Sequence, residues 1–119
     1  MRLNHLDLPV PDVAATADFF VRGFGFALLF MRGDDMALLR DEDGNGDGFV
    51  LALSHSAAPR YPDDFHVGFL QPSDAAVHAL HSRLRAAGID APAPAVSYGC
   101  LQFWVEAPGG VTVEISHRG

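Results

Sequence analysis

Asp64-Phe65-His66-Val67-Gly68-Phe69-Leu70 carries a histidine inside a strand pattern, and Leu3-Asn4-His5-Leu6-Asp7-Leu8 carries the same pattern earlier in the chain. Leu6 and Leu8 alternate with His5 and Asp7, as Val67 and Phe69 alternate with His66 and Gly68, and alternation of this kind marks a half-buried strand. Each run leads into a Pro-containing turn, an acidic or hydroxyl helix start and an amphipathic helix. His5 and His66 are 61 residues apart (66 − 5), and so are the candidate helix N-caps Asp12 and Ser73 (73 − 12). Toward the end of each half, Gly48-Phe49-Val50-Leu51-Ala52-Leu53 matches Gly110-Val111-Thr112-Val113-Glu114-Ile115 at an offset of 62 (110 − 48), the extra residue being what a loop insertion leaves. A repeat outranks any local assignment. The chain therefore reads as two copies of one unit, residues 1–56 and 64–119 with a linker at 57–63, and Ala52 and Glu114 are equivalent positions.

At 119 residues, 49% of them hydrophobic, neither half alone buries an adequate core, so the halves are expected to fold together as one domain. The net charge of −7, from 15 acidic and 8 basic residues with no arginine cluster, argues against nucleic acid, which needs a basic surface. There is no lysine, which removes Schiff-base chemistry. The single Cys100 cannot form an intrachain disulfide and reads as a small hydrophobe, and no leader or membrane-length apolar run is present. A cytoplasmic protein without membrane attachment is expected.

Along the first copy, a strand at 3–8 should stop at Pro9-Val10-Pro11. A helix capped by Asp12 should bury Val13, Ala17, Phe20 and Phe24 before Gly23-Phe24-Gly25 ends it, and strands should follow at 26–31, 36–40 and 49–53. The loop after Arg40 alternates Asp41, Asp43, Asn45 and Asp47. It lacks the glutamate that would close a calcium loop, since position 52 is Ala52, and a solvated hairpin turn is the better account. In the second copy, Ser73 should cap a helix whose Val77, Leu80, Leu84 and Ala87 share a face and which Gly88 terminates. A poorly marked strand before Tyr98 and strands at 100–106 and 111–116 complete the order. His78 and His81 read as solvated helix residues, and His55 and His117 as strand-end residues.

Strand parity sorts the residues that could carry chemistry. His5, His66 and Glu114 all point away from the apolar faces that pack on the helices. On the concave side of a curved sheet with its helices outside, an unpaired carboxylate and two imidazoles would be costly unless a cation held them. Two neutral imidazoles and a carboxylate are a donor set for a divalent transition metal, with coordination positions left for water or substrate. The alternative is that they are hydrogen-bonded residues lining a polar groove. Gln102, Trp104 and Glu106 share the cavity side with Cys100, which makes Trp104 and Gln102 candidates for substrate contact. Tyr98 is a candidate donor at the rim, and Asp7 is placed to orient His5.

Four stretches together resemble the vicinal oxygen chelate superfamily, which includes glyoxalase I, fosfomycin-resistance thiol transferases, bleomycin-resistance proteins, methylmalonyl-CoA epimerase and extradiol dioxygenases. They are Leu3 to Asp12, Asp18 to Phe26, Phe65 to Phe69, and Ala107-Pro108-Gly109-Gly110-Val111-Thr112-Val113-Glu114-Ile115. The resemblance implies an α+β fold of two βαβββ modules paired into a cupped, eight-stranded half-barrel with helices outside. It implies metal ligation by His5, His66 and Glu114, and, as in many members, a homodimer. Ala52 stands where glyoxalase-like members place a further acidic or amide ligand, and Ala107 where the family commonly has an aspartate. The three-ligand pattern of the thiol transferases and dioxygenases is intact.

The expected function is that of a small metalloenzyme using Zn²⁺, Ni²⁺, Mn²⁺ or Fe²⁺ to activate a small-molecule substrate that chelates through adjacent oxygens. A glyoxalase-type lyase or isomerase, a dioxygenase and a thiol transferase all remain open, with Glu114 as the catalytic carboxylate. The alternative is a metal-free, bleomycin-resistance-like protein that sequesters an aromatic or cationic drug with Trp104 and nearby phenylalanines, to which the charge of −7 is suited.

Overall fold

The alternation becomes strands and the capped segments become helices in the computed structural model, which describes residues 1–41 and 48–119. In chain order these are β1 (His5–Val10), α1 (Val13–Asp18), β2 (Ala27–Arg32), β3 (Met36–Arg40), β4 (Val50–His55), β5 (His66–Leu70), α2 (Asp74–Ala86), β6 (Ala95–Ser97), β7 (Cys100–Glu106) and β8 (Thr112–His117). The chain divides into two compact units, Met1–Arg60 and Tyr61–Gly119. Each is a βαβββ module with a four-stranded mixed sheet, ordered β1-β4-β3-β2 in the first and β5-β8-β7-β6 in the second. The first strand of each module runs parallel to the last, and the remaining pairs are antiparallel. Asp43, Asn45 and Asp47 of the acidic loop lie outside the described residues. Among the described residues no helix is long and apolar enough to cross a membrane.

The helix starts follow from their caps. Asp12 Oδ1 accepts the Ala15 N–H at 2.9 Å and Ser73 Oγ accepts that of Ala76 at 3.1 Å, each satisfying a first-turn donor that has no partner within the helix. In the first unit, Leu8, Val10, Ala37, Leu39, Leu51 and Leu53 are buried together with Val13, Ala17 and Phe20 of the helical segment. In the second, Phe103, Val105, Val113 and Ile115 are buried with Val77 and Leu84 of α2. Because strand side chains alternate, burying these residues commits His5, Asp7 and Ala52 in one unit, and His66, Gly68, Trp104 and Glu114 in the other, to the opposite faces.

Three local departures have physical causes. Strand β1 runs on through Pro9 to Val10. The carbonyls of Asn4 and Val10 accept from Val50 and Ser56, so even-numbered residues direct their main-chain groups to β4, and the proline nitrogen faces away from that ladder, which needs no donor from it. Helix α1 is shorter than its apolar spacing suggests and widens into a π-helical turn, Phe19–Gly23. The wider turn buries Phe19 beside Phe20, their rings edge to face at a centroid distance of 5.0 Å, and leaves Phe24 half-buried. His81 is a packing residue rather than a solvated one: its ring meets Phe103 edge-on at 5.2 Å and bonds the Ala91 carbonyl at 3.2 Å.

Candidate functional site

On the open face of the second sheet, register brings side chains from three strands to one level. Gly68 of β5 is the Cα partner of Glu114 of β8, which in turn pairs with Trp104 of β7. His66 stands one step along β5. Its Nε2 lies 3.6 Å from Glu114 Oε2, and the Trp104 ring meets the imidazole edge-on at 4.9 Å. The Glu114 side chain is only 13% exposed and that of His66 is 42% exposed, so the pair sits where the sheet surface meets solvent.

The imidazole is oriented from behind. Asp64 occupies the left-handed region at φ 65°, which aspartate tolerates better than most residues, and its carbonyl oxygen lies 2.9 Å from His66 Nδ1. A carbonyl only accepts, so the proton belongs on Nδ1 and the lone pair on Nε2, the atom facing Glu114. A separation of 3.6 Å is long for a hydrogen bond but close to the spacing of two ligand atoms on one ion, which at bonds of ~2.1 Å in tetrahedral geometry is about 3.4 Å. The donor chemistry and spacing of this pair therefore fit a divalent metal.

The first unit repeats part of the arrangement. His5 is exposed on the open face of β1, and its Nδ1 lies 3.0 Å from Asn4 Oδ1, again an acceptor that leaves Nε2 with the lone pair. Asp7 does not orient His5. Its Oδ1 accepts the Ser54 hydroxyl at 2.7 Å, a cross-strand partner that sequence spacing does not reveal. Ala52, at the position equivalent to Glu114, lines a cavity of about 430 Å³ with His5, Asn4, Leu38 and Val50. Among the described residues, no three His, Cys, Asp or Glu side chains are gathered closely enough to hold an ion by themselves. His66 and Glu114 stand together in the second unit, and His5 stands in the first.

A second cavity, about 520 Å³, opens beside His66 and is lined by Tyr61, Asp64, Phe65, Trp104 and Thr112. Tyr61 and Phe65 stack at 4.9 Å with their planes 20° apart. Neither was singled out by alternation because both precede β5. The signal available was the pairing of two aromatics across Pro62 in an otherwise polar linker. Trp104 joins this wall, 37% exposed, and Gln102 shares its face two residues earlier. Tyr98 stands in the β6–β7 turn at φ 51°, fully exposed, and is not part of the lining. Cys100 is half-buried with a free thiol.

The sequence pattern of the Glyoxalase/Bleomycin resistance protein/Dioxygenase superfamily matches residues 2–115. The chain is similar to a solved structure of a possible glyoxalase from Bacillus cereus, at 38% identity and a TM-score of 0.80, with 97% of each chain covered. It shares its fold with lactoylglutathione lyase from Agrobacterium tumefaciens, at 16% identity and a TM-score of 0.76 over 98% of this chain and 92% of that one. It also shares it with the fosfomycin resistance protein FosX from Listeria monocytogenes, at 14% identity and a TM-score of 0.78 over 100% and 94%. No functionally curated protein matches the chain at a significant level.

Proposed function

The chain belongs to the Glyoxalase/Bleomycin resistance protein/Dioxygenase superfamily, and from that premise we propose that it is a small, glyoxalase-like metalloenzyme that holds a divalent transition metal, Zn²⁺, Ni²⁺, Mn²⁺ or Fe²⁺, with His5, His66 and Glu114. The observation that carries the reading is the second-unit pair: an imidazole whose Nδ1 is occupied by the Asp64 carbonyl, with its free Nε2 3.6 Å from Glu114 Oε2. When bound, the ion would supply Lewis-acid stabilisation of charge developing on a substrate that chelates through adjacent oxygens.

The chain's own residues do the rest. His66 and Glu114 are held in place from the sheet, Glu114 keeps a second carboxylate oxygen with which to take up a substrate proton, and Trp104 with Gln102 forms the wall against which the substrate rests. A lyase or isomerase of the glyoxalase type fits this donor set, as do a dioxygenase and a thiol transferase. The aromatic lining of Tyr61, Phe65 and Trp104 favours a second reading, metal-free sequestration of a flat drug in the manner of a bleomycin-resistance protein.

Metal analysis of protein purified without a nickel column separates the two. Stoichiometric metal that is lost in His5→Ala, His66→Ala and Glu114→Ala supports the enzyme. Absence of metal with tight aromatic-drug binding supports sequestration. Methylglyoxal–thiol adducts, catechols and fosfomycin offered to the metal-loaded protein then identify the reaction.

The working form is a cytoplasmic homodimer. Strand β2 ends its sheet with four consecutive exposed apolar residues, Leu28, Leu29, Phe30 and Met31. An unprotected apolar edge of this kind suits isologous pairing with a second copy. Sedimentation velocity should give a dimer that Leu29→Lys dissociates; a wild-type monomer at all accessible concentrations removes the dimer from the reading.

A further inference from the structure

His66 and Thr112 are Cα partners across the parallel pair β5 and β8, and His5 and Val50 are Cα partners across the parallel pair β1 and β4. Under the repeat Thr112 and Val50 are one position, at the offset of 62 (112 − 50). Each is half-buried on the open face of its own sheet, next to that unit's imidazole. Threonine and valine share a branched shape and a preference for strands, so either serves the backbone here. What sets the second unit apart is one hydroxyl group beside His66.

Thr112 lines the cavity of about 520 Å³ together with His66, Trp104 and the stacked rings of Tyr61 and Phe65. Among the described residues no group hydrogen-bonds its side chain, so the hydroxyl keeps its bonding capacity for a ligand. No arginine is among the described residues that line this cavity, and the aromatic faces offer apolar area rather than a counter-charge for an anion. We propose that Thr112 is a specificity-determining residue of this cavity, selecting flat aromatic ligands that carry an uncharged oxygen, as a phenol or an aryl ketone does. The ring rests against Tyr61, Phe65 and Trp104, and the Thr112 Oγ1–H donates to the ligand's oxygen. The proposal rests on the reading of Trp104 as the substrate's wall and adds the chemical class of that substrate. A ligand with a methyl group in place of the oxygen leaves the hydroxyl covered and unpartnered, the mismatch against which a hydrogen-bonding site discriminates.

Phenol and toluene differ by a hydroxyl against a methyl group, as Thr112 and its valine variant do, so the two exchanges make a closed cycle. The probes are titrated into the metal-free full chain and followed by NMR at the indole N–H of Trp104, the chain's single tryptophan. The remaining amide signals show whether each variant keeps its fold. Thr112→Val should weaken phenol binding by about fivefold, the scale of one hydrogen bond, and should not weaken toluene binding. Thr112→Ser, which keeps the hydroxyl, should hold phenol within about twofold of the wild type. Wild-type phenol affinity in Thr112→Val overturns the proposal. Equal losses of both probes overturn it too, because Thr112 would then only shape the wall. In either case the wild type still binds the probes and the reading of Trp104 as a wall stands. If neither probe shifts the Trp104 signal in the wild type, that reading falls and the role of Thr112 falls with it.

Discussion

Gly68 and Glu114 face each other across β5 and β8, and a Cβ built on Gly68 would stand 3.5 Å from the Glu114 Oε2 atom and 3.7 Å from its Cβ. These are ordinary contacts, so alanine fits. A branched side chain continues toward the carboxylate and displaces it from His66. Gly68→Val should therefore weaken Zn²⁺ binding by about tenfold or more, on the scale of lost ligand support. Its folding stability should be unchanged or higher by about 0.5–1 kcal/mol, since glycine is unfavourable within a strand and valine suits one. Calorimetric metal titration alongside urea unfolding checks both halves, and parallel losses of affinity and stability would refute the steric account.

Trp104 is the chain's single tryptophan and touches the His66 ring at 4.9 Å, so its fluorescence reports on the site without labelling. Titration with Ni²⁺ should quench it saturably in the wild type and leave it unchanged in His66→Ala. Adding a neutral aromatic probe such as catechol to the metal-free protein should also alter the emission through the wall shared with Tyr61 and Phe65. That response should shrink in Phe65→Ala. A probe response untouched by the Phe65 change would remove the cavity beside His66 from the binding surface.

The two caps are equivalent in sequence and in geometry, which makes their energies comparable. Asp12→Ala and Ser73→Ala each delete one side-chain acceptor for a first-turn N–H and should each destabilise the protein by about 1 kcal/mol. Phe20→Ala, at a fully buried ring within the Phe19, Phe24 and Phe26 cluster, should cost about 3–5 kcal/mol. Chemical denaturation that ranks the caps above the core residue would contradict the packing described.

Much of this architecture was legible because a repeated alternation with one histidine per copy fixes both strand type and facing. The side on which His5, His66, Trp104 and Glu114 stand followed from parity alone. What parity cannot supply is register between distant strands. The Ser54–Asp7 bond joins residues 47 positions apart, and the placing of Gly68 and Trp104 on either side of Glu114 is visible only once the Cα partners are known. The π-helical turn was hidden for a different reason. Val13, Ala17, Phe20 and Phe24 fit an α-helix, and only packing of the Phe19 ring against Phe20 discriminates the wider turn. Tyr61 and Phe65 escaped because they precede a strand, where no periodicity marks a side chain as lining a cavity.

Asp64 contributes its carbonyl to His66, and its side chain is not part of that contact. What the position demands is a residue that accepts φ 65°. Asp64→Gly and Asp64→Asn meet that demand and should keep metal affinity within a few-fold of the wild type, a difference of about 1 kcal/mol or less. Asp64→Val places a β-branched side chain in the left-handed region at a cost of about 1–2 kcal/mol. The backbone can relieve that strain by turning the carbonyl away, which frees Nδ1 and lets the imidazole rotate. Val should thus lower both stability and Zn²⁺ affinity, whereas Gly lowers neither appreciably. Equal Zn²⁺ affinities for the Gly and Val variants would mean that the carbonyl does not orient His66.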